Sequence, residues 1–142
     1  MKKIILGSII LISLIMFYAC NKTEQTYKKI YRRYTLNNYT VNGVDSLSLY
    51  KDSLNTDFYF FRDNMDNVDV CTISGGHIGW VWYLSNDNKS LNVITSNSLY
   101  EVGGTGPFGQ NKTPTWEIIN LTKKELIMRT SYNSKIYVIE LK

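Results

Sequence analysis

Trp116-Glu117-Ile118-Ile119-Asn120-Leu121, Leu126-Ile127-Met128-Arg129-Thr130 and Ile136-Tyr137-Val138-Ile139-Glu140-Leu141 close the sequence as three short runs rich in apolar residues. Lys123-Lys124-Glu125 separates the first two, and Asn133-Ser134-Lys135 the last two. Short apolar runs bounded by polar turn residues read as β-strands. Successive side chains of a strand point to opposite faces, so alternate residues share one. Trp116 and Ile118 then share a face, as do Leu126, Met128 and Thr130, and Ile136 and Val138. The other parity holds Ile119 and Leu121, then Ile127 and Arg129, then Tyr137, Ile139 and Leu141. Apolar residues on both parities predict that some strands pack on both sides.

The same pattern extends upstream. Ile30 to Val41 is rich in Tyr and Thr and ends at Asn42-Gly43, a strong turn signal. Val44 to Asn55 fits neither period cleanly and reads as a loop with a helical turn. Phe58-Tyr59-Phe60-Phe61 is a compact aromatic strand, followed by the turn cluster Asp63 to Asn67 and a strand from Val68 to Ile73. Gly75-Gly76 breaks the chain. Ile78 to Leu84 follows, with Trp80 and Trp82 on one face. Asn86-Asp87-Asn88 turns it into Leu91 to Thr95, and a glycine-rich loop spans about Tyr100 to Thr113. The sum is about eight short strands, and no segment carries a long apolar stripe of helical period. Spacing of this kind argues a sandwich or an up-and-down barrel.

The N-terminus has a different character. Lys2 and Lys3 precede an almost unbroken apolar run from Ile4 to Met16, then Phe17-Tyr18-Ala19-Cys20. A charged start, a short apolar core and a small residue at the cut make a secretory signal. The apolar stretch falls short of the roughly 20 residues that span a bilayer. Cys20 directly after Ala19 resembles a bacterial lipobox, in which the thiol takes a diacylglycerol and the signal is removed in front of it. That resemblance implies a signal peptide over residues 1–19, a lipidated tether over 20–28 and a folded domain over 29–142. An ordinary signal peptide with a coincidental cysteine and an uncleaved N-terminal anchor are the competing readings. Asn21 follows the cysteine, with no Asp to suggest retention at the inner membrane, so the outer membrane is the expected address. Its periplasmic face and the cell surface both remain open.

Composition limits the function classes. Removing Lys2 and Lys3 lowers the formal charge from +4 to +2, and no basic stripe of the kind nucleic-acid binding requires is present. Lys28, Lys29, Arg32 and Arg33 cluster near the start of the domain, as a solvated tether and first strand or as a contact for anionic headgroups. With Cys20 acylated, Cys71 is the one thiol left, so no intramolecular disulfide can form. Its strand-like setting reads as a buried, inert thiol.

Pro114 to Met128 resembles the closing hairpin of lipocalin-like lipoproteins of Bacteroidota. There a Trp or Tyr strand reaches an Ile-x-x-Leu-Thr turn and a Leu-bearing strand returns. Tyr39-Thr40-Val41-Asn42-Gly43-Val44-Asp45-Ser46 is similar to their first strand and loop. Trp80-Val81-Trp82-Tyr83-Leu84-Ser85 with Leu91-Asn92-Val93-Ile94 is similar to their central hairpin. The resemblance implies an all-β fold: a small antiparallel up-and-down barrel, lipocalin-like, of about eight strands.

Sharper motifs do not hold up chemically. Gly104-Thr105-Gly106-Pro107-Phe108-Gly109 matches the letters of a dinucleotide fingerprint, yet Pro107 and Pro114 leave no room for the helix that motif needs. It reads as a flexible loop with Phe108 at its tip. His77 is the one histidine, too few for a triad or a two-histidine metal site. Asp63, Asp66 and Asp69 lack the glycine and terminal Glu of a calcium loop. No catalytic residues, metal ligands or cofactor are therefore expected, and the chain does not read as an enzyme.

Eleven Tyr, five Phe and three Trp remain. Trp80, Trp82, Trp116 and Phe108 are the candidates for lining a pocket for one small hydrophobic ligand, since eight strands leave about that much room. Phe58, Phe60 and the three Trp read equally as ordinary core. Two functions follow. One is a lipid-anchored barrel that binds a small hydrophobic molecule. The other is a structural or interaction lipoprotein with a filled barrel and an envelope protein as partner. Either is expected as a monomer held to the membrane through Cys20, without nucleic acid.

Overall fold

The structure is a computed structural model that describes residues 22–47, 57–64, 67–73, 77–96, 107 and 113–142. Cys20 and the signal segment, Gly75-Gly76, Phe108 and most of the glycine-rich loop lie outside the described residues. Among the described residues no helix is long and apolar enough to cross a membrane.

A helix, α1, occupies residues 22–30, where the sequence reading places a tether. Tyr27, Ile30 and Tyr31 recur at helical spacing and turn toward the barrel, and Ile30 is fully buried. The stripe is too short to register as a long amphipathic period, so packing rather than pattern makes this helix. Glu24 and Lys28 pair across one exposed turn, 2.6 Å apart. The Tyr34 hydroxyl donates to the Lys29 carbonyl at 2.8 Å, satisfying one of the orphan acceptors at the helix end.

Nine strands follow: β1 (Arg33–Val41), β2 (Val44–Asp45), β3 (Asp57–Asp63), β4 (Val68–Ile73), β5 (His77–Leu84), β6 (Ser90–Ser96), β7 (Thr115–Leu121), β8 (Leu126–Tyr132) and β9 (Lys135–Leu141). From β3 to β9 each strand pairs antiparallel with the next. The first half of β1 pairs with β3 through Arg33–Tyr59 and Thr35–Asp57, and its second half pairs with β9 through Leu36–Leu141 and Val41–Tyr137. The sheet thus closes on itself as an eight-stranded up-and-down barrel, and the two-residue β2 is an extra strand beside β1. The resemblance implied this architecture, and the eight strand positions read from the sequence are the barrel strands.

The turns carry the residues their geometry demands. Asn42 and Gly43 take φ of 53° and 78°, and Asn133 and Ser134 take 47° and 60°. Paired positive φ values suit the right-handed twist of a tight hairpin. Asn42 also ties its turn to β9, for its backbone N–H donates to the Ile136 carbonyl while its side-chain oxygen accepts from the Ile136 N–H, each at 2.8 Å.

Inward positions alternate with outward ones on most strands. Phe58 and Phe60, Trp80 and Trp82, Leu126 and Met128, and Tyr137, Ile139 and Leu141 are all buried. The expectation that some strands pack on both sides holds at β4, where Val70 on the outer parity is buried beside Cys71, and is corrected at β7 and β9. Ile119 and Ile136 lie on the outer parity and stay about half exposed, at 48% each. An apolar side chain on the wet face of an antiparallel sheet is common and needs no second layer.

One bulge matters for packing. The β4–β5 register shifts between Cys71 and Thr72, which leaves Gly79 as the extra residue of β5. A Cβ on Gly79 would stand 2.7 Å from both Cγ1 and Cδ1 of Ile73 and 3.3 Å from the Cys71 carbonyl oxygen. Gly79→Ala is expected to destabilise the protein by about 1–3 kcal/mol through overpacking. A fall in the urea midpoint checks it, whereas an unchanged midpoint would mean Ile73 repacks freely.

Candidate functional site

β5 delivers Trp80 and Trp82 to the barrel interior, β7 delivers Trp116 and β3 delivers Phe58 and Phe60, because these residues all fall on the inward parity. The rings form one continuous column. Trp116 lies 5.9 Å from Trp80, centroid to centroid, and Trp80 lies 6.0 Å from Phe58 and 6.4 Å from Phe60. Phe60 lies 5.7 Å from Trp82 in an edge-to-face contact. Trp82 meets Tyr27 and Tyr31 of the α1 region at 5.9 and 6.2 Å. The structure therefore brings three of the four candidate ligand residues together, but as packed core, each at most 1% exposed. Phe108, the fourth, lies outside the described residues. Three grooves lined by described residues open on the outside: one on the outer face of β7, β8 and β9, and two flanking α1.

α1 sits at one end of the barrel, where antiparallel alternation also places the β3–β4, β5–β6 and β7–β8 turns and the C-terminus. Asn88 of the β5–β6 turn donates from its side-chain nitrogen to the Thr23 hydroxyl at 3.1 Å. A polar cluster completes the attachment. Asp69, on the inward parity of β4, accepts from the Tyr31 hydroxyl at 2.5 Å and from Arg62 Nε at 3.1 Å. A second guanidinium nitrogen of Arg62 reaches the other carboxylate oxygen at 3.4 Å. The guanidinium also lies over the Tyr27 ring, 5.8 Å from its centroid. Burial holds the Tyr31 phenol well above its ordinary range, and the hydrogen bond to Asp69 adds to the effect. Burial likewise pushes the Tyr34 phenol up to about 12. These phenols stay protonated at any physiological pH and act as donors.

Sequence reading missed this cluster. It took Asp69 with Asp63 and Asp66 as part of a series that lacks the features of a calcium loop, and assigned it no partner. Asp66 and the His77 side chain lie outside the described residues, while Asp69 is buried against Arg62. The available signal was a buried-parity aspartate seven residues from an arginine on the preceding strand of a hairpin. Among the described residues no three His, Cys, Asp or Glu side chains gather in a metal-binding group. Cys71 is fully buried, and burial pushes its thiol well above the usual range, away from the reactive thiolate.

Flanking α1, one groove of about 340 Å³ is lined by Thr23, Glu24, Tyr27, Tyr31 and Arg62. On the other flank a groove of about 290 Å³ is lined by Gln25, Lys28, Lys29 and Arg32 with Lys123 of the β7–β8 turn. No family model, curated protein or solved structure matches this chain.

Proposed function

We propose that the protein is an outer-membrane lipoprotein of the lipocalin-like kind, anchored through acylated Cys20, whose barrel is a filled scaffold that meets an envelope partner. It is neither a carrier nor an enzyme on this reading. The single observation that supports the filled barrel is the ring column from Trp116 to Tyr27, which occupies the space a carrier would keep for its ligand. An eight-stranded barrel is just wide enough for side chains to fill, so three indoles and two phenyl rings leave little interior for a guest. The anchor rests on the order of signal elements around Ala19-Cys20. Two or three acyl chains at about 0.8 kcal/mol per buried methylene hold a domain stably without any membrane-binding face of its own.

Two measurements test the halves separately. Cys20→Ser is expected to abolish fatty-acid labelling and to move the chain out of the membrane fraction; unchanged retention would refute the anchor. Mass spectrometry of the protein extracted natively is expected to find no stoichiometric apolar companion. A bound hydrophobic molecule at one per chain would overturn the filled scaffold and put the small-ligand carrier in its place.

A further inference from the structure

We propose that the basic groove beside α1 seats the phosphate of an anionic lipid headgroup, so that the barrel stands with its α1 end on the bilayer that holds Cys20. The inference rests on the anchor proposed above. Gln25, Lys28, Lys29 and Arg32 follow helical spacing and line one flank of α1 and its exit, and Lys123 closes the groove from the β7–β8 turn. Lys28 is paired with Glu24, but Lys29, Arg32 and Lys123 have no carboxylate within salt-bridge distance among the described residues. Arg32 keeps its Nε out of solvent with no hydrogen-bond partner among them, a buried donor that a bound oxyanion would satisfy.

Position supplies the occupant. The described part of α1 begins at residue 22, two residues after Cys20. Two residues span at most about 7 Å. The groove begins within a helical turn of that point, which places it at headgroup depth. Anionic headgroups attract basic residues only within roughly a Debye length of the surface, and the short tether is what would bring this groove into that range. The opposite end of the barrel, with Lys135 at the β8–β9 turn, is held about a barrel length away.

Lysine acetylation of the lipidated protein in vesicles reads the orientation. On phosphatidylcholine vesicles containing phosphatidylglycerol, Lys29 and Lys123 should be labelled about fivefold more slowly than on phosphatidylcholine alone. Lys135 should be labelled equally on both. The same labelling of the Cys20→Ser chain mixed with each vesicle type separates the groove from the anchor. Protection there by the anionic vesicles supports the groove even if native Cys20 carries no acyl mass. Equal labelling of Lys29 on both vesicle types, in both forms of the protein, overturns the proposal, as does protection by free inorganic phosphate matching that of the anionic vesicles.

Discussion

Trp80→Ala is expected to lower the unfolding free energy by about 3–5 kcal/mol, the largest single-residue loss in the barrel. The indole is fully buried and touches Phe58, Phe60 and Trp116 at once. Its removal forfeits the transfer energy of the ring and leaves a void that a closed barrel collapses poorly, because every strand is tied to two neighbours. Equilibrium urea denaturation measures the loss. The same variant reports on function. An apolar dye that the native protein ignores should bind the void, since apolar cavities stay dry and accept apolar guests. A native protein that already binds the dye as well as the variant does would count against a filled interior, and a loss below about 1 kcal/mol would show that Trp80 fills no essential space.

Asp69→Ala is expected to cost about 2–4 kcal/mol. Asp69 is 5% exposed and holds both Arg62 and the Tyr31 hydroxyl, so its loss strands a cation and a phenol together. The Arg62 side chain is 47% exposed and regains water, which keeps the cost below that of a fully buried pair. Tyr31→Phe removes one hydrogen bond and should cost about 1 kcal/mol. The effect should be local as well as global. Because the cluster fastens α1 to the barrel, amide exchange in residues 22–30 should accelerate more than in β8 or β9. Uniform acceleration across the barrel would show that α1 has no separate hold there.

The eight barrel strands were legible because each is short, bounded by Asn, Asp, Gly or Lys turns, and most carry large apolar residues on alternate positions. Trp80 with Trp82 and Leu126 with Met128 illustrate the point. Closure was not legible in the residues, since nothing local says that Leu36 pairs with Leu141. It came with the family resemblance. α1 was hidden because its buried stripe is little more than one turn, and its stability comes from Trp82 and Asp69, which lie far off in sequence. Of the four candidate ligand residues, Trp80, Trp82 and Trp116 share the barrel interior, and Phe108 lies outside the described residues. Parity gives the face a side chain occupies, and whether that face is hollow or packed depends on ring-to-ring distances across the barrel.

The divided pairing of β1 has a consequence for how the molecule reaches its folded state. The first strand of the barrel needs the last one, across roughly a hundred residues, before its second half has a partner. Contacts so distant in sequence make for slow folding, because the entropy of closing the loop is spent before the contact is gained. A chain emerging N-terminus first cannot seal its barrel until Leu141 is available. On the export route proposed above that delay would be an advantage: the polypeptide would stay threadable through a narrow pore and acquire its final shape only on the far side.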